Sequence, residues 1–454
     1  SKHKGEHPRF GATDVCPLIP VSNISFKELI PYAEKLAKRV SETLNIPIYL
    51  YEYAAKEEKR KNLANVRSGE YEGLKEKISK KEWKPDFGLA FNKKSGATAI
   101  GVRDFLIAYN INLNTKSTRL ANAIAFDVRE KGRIKRKGHP VIGDIVYDKN
   151  GNPEKIPGSL KHVKAIGWYI DEFGIAQISM NLTNITETPI HTVFDEVSKK
   201  AEIRGARVTG SELVGLIPLN SILDAGKYFL KKQNRSIGIP EIDIIKVAIE
   251  SLGLNQVKNF DPETNIIEYY LDKISNKNKK LIDFSARELS DEVLRESPAP
   301  GGGSVSSYVG SLGASLSGMV ANLSCNTRGW EDKVDIFSNI AFKINKIREK
   351  LLLLVDEDSK AFNDIMNSFK LPKNNNKEKK IREKEIINST LYAAEVPLKV
   401  MKESFLIYSH IKNLVDNGNQ NSLSDSGVAC LCVYSCIHGA YLNVRINLKD
   451  IEND

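Results

Sequence analysis

The stretch "DKISNKNKKLID" (residues 272–283) separates two parts of the chain that differ in secondary-structure pattern. It is short and rich in Lys and Asn, as expected for a linker. Before it, apolar residues recur alternately at helical and at strand spacing; after it, strand patterns disappear and one helical pattern follows another. The sequence therefore predicts a mixed-sheet α/β domain at residues 1–272, a charged linker at 273–283 and an all-α helical domain at 284–454.

The α/β prediction depends on segments that alternate along the first part. A polar insertion between residues 129 and 161 interrupts them, and its turn signal at Asn150 and Gly151 predicts a surface flap. Helices are predicted at residues 26–45, 117–130 and 189–205, and strands at 46–54, 105–114 and 165–184, the last as two strands around a turn.

Composition is that of an ordinary globular protein. The 454 residues, with 41% hydrophobic and 27% charged residues, are enough for two or three domains. No apolar run has the length of a membrane span and no signal peptide is visible, so we expect no membrane span and a cytoplasmic location. Five cysteines, three of them in an apolar cluster at residues 430–436, match no zinc pattern and predict reduced thiols and no metal.

The net charge of +10 favours an anionic partner: nucleic acid, a membrane surface or a small polyanionic substrate. Three basic segments, at residues 130–138, 276–280 and 374–385, contain no aromatic residue for base stacking and no nucleic-acid-binding module. We interpret them as solvated loops and predict no nucleic-acid partner.

A glycine-rich turn lies in the second part, within residues 297–324. Two prolines and the glycines Gly301, Gly302 and Gly303 precede a helix filled with Gly, Ser and Ala. Such a turn can bind an anion, because unpaired N–H groups and the helix dipole point the same way. The pattern is equally typical of a helix that packs closely on its neighbours, so both interpretations stay open.

A carboxylate, Asp358, lies on the apolar face of a long helix predicted at residues 335–369. It is in heptad register with Ile344, Leu351 and Ile365. Burial among such residues raises the pKa of a carboxyl group, which allows it to donate a proton near neutral pH. The alternative is a structural Asp that is bonded to a neighbouring helix.

Three further segments carry candidate residues. His3 and His7 lie in a polar stretch at the start of the chain. A glycine-rich loop at residues 88–96 contains two lysines but lacks the spacing of a Walker loop or a dinucleotide fingerprint. Asp425 opens an apolar helix predicted within residues 419–448; helix capping is its first interpretation, and a supporting role in a site is the second.

Several stretches resemble one enzyme family, both in their amino-acid sequence and in their order along the chain. In the first part, "HKGEHPRFGATDV" (residues 3–15), "GATAIGVRDFLIAYNINL" (96–113) and "TGSELVGLIPLNSILDAGKYF" (209–229) resemble the glutamate formimidoyltransferase domain. In the second part, "SPAPGGGSVSSYVGSLGASLSGMVA" (297–321) and "LVDEDSKAFNDIMNSFKLPKN" (354–374) resemble the formimidoyltetrahydrofolate cyclodeaminase domain. The chain is thus similar to the bifunctional formimidoyltransferase-cyclodeaminases over nearly its whole length.

The resemblance implies two reactions in histidine degradation and one-carbon metabolism. The first domain would transfer the formimidoyl group of N-formimidoyl-L-glutamate to N5 of tetrahydrofolate. The second would cyclise 5-formimidoyltetrahydrofolate to 5,10-methenyltetrahydrofolate and release ammonia. The resemblance further implies polyglutamylated tetrahydrofolate as co-substrate and a ring-shaped homo-oligomer of dimers, in which the basic surface would retain the folate polyanion.

The resemblance also implies roles for individual residues. His7 would be the acid/base residue of the transferase, since imidazole can accept the N5 proton near neutral pH, and His3 would support it. Asp358 would be the general acid of the cyclodeaminase. The implied folate-contacting residues are Gly88, Leu89, Ala90, Phe91, Asn92, Lys93, Lys94, Ser95 and Gly96 in the first domain, and Gly301, Gly302, Gly303 and Ser304 in the second.

Members of this family carry an α/β segment before the histidine motif and a helix after "NLKDI" (residues 447–451). By comparison with these members, we expect this chain to be a fragment in which the transferase domain lacks part of its substrate cleft. Two alternatives to the bifunctional enzyme stay open at this point: a cyclodeaminase alone, or a folate-binding scaffold protein without turnover.

Overall fold

The computed structural model describes residues 9–21, 23–138, 142–275 and 279–449. Contacts between Cα atoms group the chain into two compact units. The first unit takes its residues from 1–108, 125–166 and 179–188, and the second from 109–124, 167–178 and 189–454.

The first unit begins with a parallel sheet of three strands and the helices around it. Its elements are β1 (Val15–Leu18), α1 (Phe26–Leu44), β2 (Ile48–Glu52), α2 (Glu58–Lys61), α3 (Leu63–Val66), α4 (Glu70–Ser79) and β3 (Thr98–Val102). The strand order is β1-β3-β2. Alternate residues of β2 face opposite sides of the sheet: Ile48 and Leu50 pack with residues of α1, and Tyr49 and Tyr51 pack with residues of α3 and α4.

The next segment contains the predicted flap. Its elements are β4 (Ile107–Leu113), α5 (Thr118–Val128), β5 (Arg133–Ile134), β6 (Arg136–Lys137), β7 (Asp144–Ile145), β8 (Lys155–Ile156), β9 (Val163–Ile170) and β10 (Ile175–Leu182). Within the flap, β5 pairs with β8 and β6 pairs with β7, both antiparallel. The structure has a turn at the predicted position, where the Asp148 N–H donates to the Asn152 carbonyl and Gly151 is left-handed.

A four-stranded sheet and several helices complete the α/β part. The remaining elements are α6 (Ile190–Ile203), β11 (Val208–Val214), α7 (Leu219–Lys232), α8 (Glu241–Leu252), α9 (Pro262–Asn265) and α10 (Ile267–Ser275). The strand order is β11-β4-β10-β9. After β11, the described residues form helices and no further strand, so the predicted fold class of an α/β part followed by a helical part is confirmed.

The helical part consists of a short helix and a bundle of four long ones. They are α11 (Ala286–Leu294), α12 (Gly302–Cys325), α13 (Val334–Phe369), α14 (Asn376–Asn417) and α15 (Leu423–Leu448). Ser304 contacts Val355 while Ser307 contacts Leu351, so α12 and α13 run antiparallel. One core joins the four helices through small and aliphatic residues such as Ala314, Ile344, Leu351, Val396, Ile407, Val433 and Ala440.

Within the second unit, the loop between α7 and α8 contacts the bundle. The Ile237 N–H donates to Ser338 Oγ at 3.0 Å, and Asn322 Nδ2 donates to the Gly238 carbonyl at 3.1 Å. Side chains of α12 and α13 thus satisfy backbone groups of the loop and attach the end of the α/β part to the bundle.

One helix meets the length and composition of a membrane span. The apolar segment at residues 420–448 contains α15, and 22% of its most apolar window is buried inside the chain. Core helices of globular proteins also have this composition, and α15 contributes Ala429, Val433 and Ala440 to the bundle core. The predicted lack of a membrane span stays a prediction.

Candidate active site

The glycine-rich turn of residues 301–304 forms the start of α12. Gly301 is the N-cap residue, and no side chain caps the helix. The first N–H groups of an α-helix have no carbonyl partner within the helix, and they lie at the positive end of its dipole. The amides of Gly302 and Gly303 therefore stand where an anionic or carbonyl group can accept their hydrogen bonds.

Asp358 of α13 meets this helix start. Ser304 Oγ lies 3.0 Å from Asp358 Oδ2, 2.9 Å from the Val355 carbonyl oxygen and 3.1 Å from Ser359 Oγ. The backbone amide of Ser304 also hydrogen-bonds to the Asp358 carboxyl. The structure thus brings together two residues, Ser304 and Asp358, that the sequence selects on separate grounds.

The environment of Asp358 raises the pKa of its carboxyl group. Burial is the dominant cause, and the two hydrogen bonds from Ser304 oppose it by stabilising the carboxylate. A carboxyl with a raised pKa keeps its proton closer to neutral pH, as a general acid must. The side chain remains partly exposed, so a substrate can reach it.

Gly303 permits the close approach of α13 to α12. A Cβ atom on Gly303 would lie 2.2 Å from Asp358 Oδ1. Real Cβ atoms do not come that close to an oxygen, so any larger residue would displace the carboxyl or the helix start. The glycine is therefore part of the geometry that holds Asp358.

The sequence did not select Asn443 of α15, which lies on another side of the same helix start. A Cβ atom on Gly302 would lie 3.3 Å from Asn443 Nδ2 and 3.7 Å from its Oδ1. A usable signal was present: Asn443 and Asn447 are amides four residues apart near the end of a largely apolar helix, where they share one face.

Asp425 lies far from this group of residues. Ser422 is the N-cap of α15 and Asp425 lies in the first turn, so the N-cap interpretation of Asp425 is wrong. The backbone N–H of Asn419, just before α15, donates to Ser324 Oγ near the end of α12. The start of α15, with Asp425, therefore lies at the opposite end of α12 from Asp358.

In the first unit, the loop of residues 88–96 lies against the segment that follows His7. The Ala12 N–H donates to the Ser95 carbonyl at 2.8 Å, and the Ala97 N–H donates to the Phe10 carbonyl at 3.0 Å. His3 and His7 themselves lie outside the described residues, and their roles stay predictions. The backbone pairing places the predicted folate loop beside residues 10–12, which follow His7 in the sequence.

The loop has a defined shape and an exposed surface. Gly96 is left-handed, with φ of 67°, and a Cβ atom there would lie 2.2 Å from the Phe10 carbonyl oxygen. Tyr71 Oη donates to the Lys93 carbonyl at 2.5 Å. The residues that the loop exposes are Gly88, Leu89, Ala90, Lys93 and Lys94, whereas Phe91, Asn92 and Ser95 are partly covered.

Comparison with known proteins identifies the family. The N-terminal subdomain of the formiminotransferase domain matches residues 1–103, the formiminotransferase domain matches 108–272, and a formiminotransferase-cyclodeaminase model matches 285–454. The formimidoyltransferase-cyclodeaminase of Gallus gallus is 41% identical over 455 aligned residues, which cover 100% of this chain and 80% of the relative. The chain belongs to the formimidoyltransferase-cyclodeaminase family.

Proteins whose names give only one of the two activities are also similar to this chain. The glutamate formimidoyltransferase of Thermoplasma acidophilum is 40% identical over 231 residues, or 50% of this chain and 68% of the relative. The crystal structure of a formiminotetrahydrofolate cyclodeaminase from Thermotoga maritima shares 31% identity over 37% of this chain and 81% of its own, with a TM-score of 0.34. The family models and the Gallus gallus relative confirm the resemblance drawn from the sequence motifs.

Arg9 is a second residue that the sequence did not select. Its Nη2 pairs with Glu72 Oε1 at 3.2 Å, and its guanidinium lies 5.8 Å from the Tyr71 ring centre. Its Nε and Nη1 are buried and have no partner among the described residues. Arg9 follows His7 by two residues in sequence and places a cation beside Tyr71, whose hydroxyl contacts the loop of residues 88–96.

Metal ligands are not clustered in the part of the chain that the structure describes. Within residues 9–21, 23–138, 142–275 and 279–449, no group of three or more His, Cys, Asp or Glu side chains could hold a metal ion. The cysteines, including Cys325 and Cys436, are free thiols.

Proposed function

We propose that this chain is a bifunctional enzyme of histidine degradation and one-carbon metabolism. It transfers the formimidoyl group of N-formimidoyl-L-glutamate to N5 of tetrahydrofolate, and it cyclises the product to 5,10-methenyltetrahydrofolate with release of ammonia. The observation that supports the second step best is the Asp358 carboxyl, which is held against the start of α12 with its pKa raised by burial.

In the cyclisation, Asp358 moves protons between two nitrogens. Folate N10 attacks the amidine carbon of the protonated formimidoyl group on N5, whose terminal nitrogen carries two hydrogens. The N10–C bond forms, and the bond from this carbon to the terminal nitrogen breaks. The protonated Asp358 carboxyl donates its proton to the departing nitrogen, which leaves as ammonia, and the carboxylate takes up the proton that N10 loses. Asp358 is therefore regenerated in each turnover.

The start of α12 binds the folate through its backbone. The amides of Gly302 and Gly303, which have no carbonyl partner within the helix, donate to a carboxylate or carbonyl oxygen of the substrate, and the helix dipole favours negative charge there. Gly301 and Ser304 complete this turn, and Ser304 also orients the Asp358 carboxyl. Substrate binding and proton donation thus share one helix end.

In the transfer, His7 accepts the N5 proton as N5 attacks the formimidoyl carbon, and the proton is passed to the departing glutamate nitrogen. The exposed loop of residues 88–96, with Lys93 and Lys94, contacts the folate. The Arg9 guanidinium supplies positive charge for an acidic group of either substrate. His3 supports this arrangement from the same segment.

The decisive experiment separates the two activities in the purified chain. The wild type should convert 5-formimidoyltetrahydrofolate to methenyltetrahydrofolate, and the product is followed by its absorbance. In Asp358→Asn this rate should fall by about 100-fold or more, because the general acid is removed. Asp335→Asn, at the exposed start of the same helix, is the matched control and keeps the wild-type rate. A wild type without turnover supports the folate-binding scaffold instead.

A parallel assay starts from formimidoylglutamate and tetrahydrofolate. His7→Ala loses transfer and retains the cyclisation of supplied 5-formimidoyltetrahydrofolate, whereas Asp358→Asn retains transfer and accumulates the intermediate. Each variant therefore serves as the experimental control for the other. Equal loss of both activities in either variant would contradict the assignment of one residue to one reaction.

We also propose that the enzyme acts as a homo-oligomer. Large apolar side chains of the bundle are exposed in the single chain, among them Phe405 of α14 and Leu431 of α15, each 66% exposed. Light scattering should show several copies of the wild type, and the double variant Phe405→Glu, Leu431→Glu should reduce the mass. Ile203→Glu, an exposed apolar residue outside the bundle, should leave it unchanged.

The remaining proposals concern the glutamate tail of the folate, the cellular compartment and the need for a metal. The net charge of +10 supports polyglutamylated tetrahydrofolate as the preferred co-substrate, and the five free thiols support a reducing cytoplasm. We further propose that no metal takes part. Extensive dialysis against a chelator should leave both rates unchanged, and KM should fall as the number of glutamates on the folate rises.

A further inference from the structure

Two side chains flank the first two helical residues of α12. Gly303 faces the Asp358 carboxyl of α13, and Gly302 faces the Asn443 amide of α15. Because consecutive residues of a helix point about 100° apart, the two side chains approach the helix start from different sides. A substrate group seated on the amides of this helix start can therefore reach both.

The Asn443 amide is held in one orientation. Its Nδ2 donates to the Gly439 carbonyl, one turn earlier in α15, at 2.8 Å. Its Oδ1 accepts no hydrogen bond from any residue that the structure describes, and the side chain is partly exposed. The result is an oriented, unused acceptor at the edge of the site.

The substrate's terminal nitrogen needs such an acceptor. A formimidoyl group on N5 ends in an amidine nitrogen, which in its protonated form carries two N–H donors and no acceptor. The helix amides of Gly302 and Gly303 are also donors, so they cannot bind it. Within the described part of the site, Asp358 and Asn443 offer the acceptor oxygens.

We propose that Asn443 is a substrate-contacting residue of the cyclodeaminase, whose Oδ1 accepts one N–H of the amidine nitrogen and directs this nitrogen towards Asp358. The inference rests on the proposed cyclodeaminase function. When N10 attacks, the bond from carbon to this nitrogen breaks and the Asp358 proton is transferred to the nitrogen. Asn443 exchanges no proton; it keeps the leaving nitrogen in line with its proton donor.

A neighbouring residue provides a matched control. Asn447 lies one turn further along α15, and its Nδ2 donates to the Ala393 carbonyl of α14 at 2.7 Å. Its amide links two helices, so Asn447→Ala should lower the thermal unfolding temperature and leave the kcat of the folded enzyme unchanged. Asn443→Ala removes only a bond within one helix and should leave the unfolding temperature nearly unchanged.

The test compares a ligand that has the amidine nitrogen with one that lacks it. For 5-formimidoyltetrahydrofolate, Asn443→Ala should lower kcat/KM about 10- to 100-fold, the loss expected for a hydrogen bond to a charged group. The affinity for 5,10-methenyltetrahydrofolate, in which that nitrogen is gone, should stay within about twofold of the wild type. Asn443→Asp, which keeps an acceptor oxygen, should recover part of the rate.

Each outcome decides between the proposals. A wild type that forms no methenyltetrahydrofolate overturns the cyclodeaminase function and this inference with it. An active wild type with an equally active Asn443→Ala overturns the inference alone. An equal loss of affinity for substrate and product in Asn443→Ala would also overturn it, since the residue would then only shape the site.

Discussion

The two candidate sites of this enzyme are built in different ways. At the cyclodeaminase site, two helices that run antiparallel hold Asp358, and its partners are a helix start and the Ser304 hydroxyl. At the transferase site, the described part is a loop whose shape depends on backbone pairing with residues 10–12 and on the left-handed Gly96. Helix geometry thus holds a carboxyl group against a helix start, while loop geometry presents exposed lysines.

The difference has an energetic consequence for the helical site. A carboxyl group that burial drives towards its protonated form favours the folded state below its unfolded pKa, and that contribution is lost as pH rises through the higher folded pKa. The folded state therefore loses this stabilising contribution as the pH rises towards neutral, because the carboxyl group is held inside the bundle.

The largest effect should come from the closest contact at the helical site. Gly303→Ala would place a Cβ atom 2.2 Å from Asp358 Oδ1 and displace the carboxyl. We expect a loss of about 1 to 3 kcal/mol in the free energy of unfolding from overpacking. The kcat of cyclisation should fall about 100-fold because the reacting groups shift by about 1 Å.

Gly301→Ala is the control for this variant. Among the described residues, a Cβ atom on Gly301 would meet only the Pro298 carbonyl oxygen, at 3.5 Å, which is an ordinary contact. Because alanine keeps the backbone groups of the turn, the cyclisation rate and the unfolding free energy should stay close to those of the wild type. Similar losses in the two variants would show that the turn, and not the contact with Asp358, limits activity.

The next largest effect should fall on the transferase loop. Gly96→Ala combines a left-handed backbone, which costs about 1 to 2 kcal/mol for a non-glycine residue, with a Cβ atom 2.2 Å from the Phe10 carbonyl oxygen. We expect the KM for tetrahydrofolate in the transfer assay to rise about tenfold, since a loss of 1.4 kcal/mol is tenfold in an equilibrium constant. Cyclisation of supplied 5-formimidoyltetrahydrofolate should not change.

Gly73→Ala is the matched control in the same unit. Apart from the backbone of α4 itself, no atom of the described residues lies within 4 Å of a Cβ atom at Gly73, and alanine has the higher helix propensity. This variant should be as active as the wild type and slightly more stable. Loss of transfer in Gly73→Ala would mean that the assay reports general damage to the unit.

The sequence predicted the parts of each site that depend on local pattern. The heptad register of α13 placed Asp358 beside buried residues such as Leu351, and the Gly-rich turn marked the start of α12. The bond from Ser304 to Asp358 could not be predicted, because it joins residues 54 positions apart in sequence and depends on how their two helices are aligned. The amides Asn443 and Asn447 were a usable signal, but the approach of Asn443 to the start of α12 could not be predicted, since a third helix carries it.

The error at Asp425 has a local cause. Ser and Asp are both good N-cap residues, so composition alone could not choose among the polar residues that precede the apolar run. In the structure a 3₁₀ turn at Gln420–Ser422 leads directly into α15, and the helix begins before Asp425. Backbone hydrogen bonding of that turn therefore determined the boundary that side-chain preferences left open.

A smaller effect should appear in the pH profile of cyclisation. The general acid must be protonated, so the rate falls as pH rises through the pKa of Asp358. Ser304→Ala removes the hydroxyl near Oδ2, one of two hydrogen bonds that lower this pKa against the effect of burial. The fall in rate should therefore move to higher pH, measured as kcat across the alkaline limb.

Ser307→Ala is the control for this shift. Ser307 lies one turn further along α12, and its Oγ donates to the Leu351 carbonyl without contact to Asp358. Its pH profile should coincide with that of the wild type. A shift to lower pH in Ser304→Ala would mean that the hydroxyl acts mainly on the protonated form of the acid.

The smallest effect should come from Tyr71→Phe, which removes one hydrogen bond to the folate loop. The ring would keep its contacts with Arg9 and Phe91, while the bond to the Lys93 carbonyl is lost. One such bond is worth about 0.5 to 1.5 kcal/mol, so the KM for tetrahydrofolate should rise about two- to tenfold with kcat unchanged. Tyr53→Phe, an exposed tyrosine of the same unit, should have no effect. A change in kcat instead of KM would show that the loop positions reacting atoms, and the contrast between the two sites would fail.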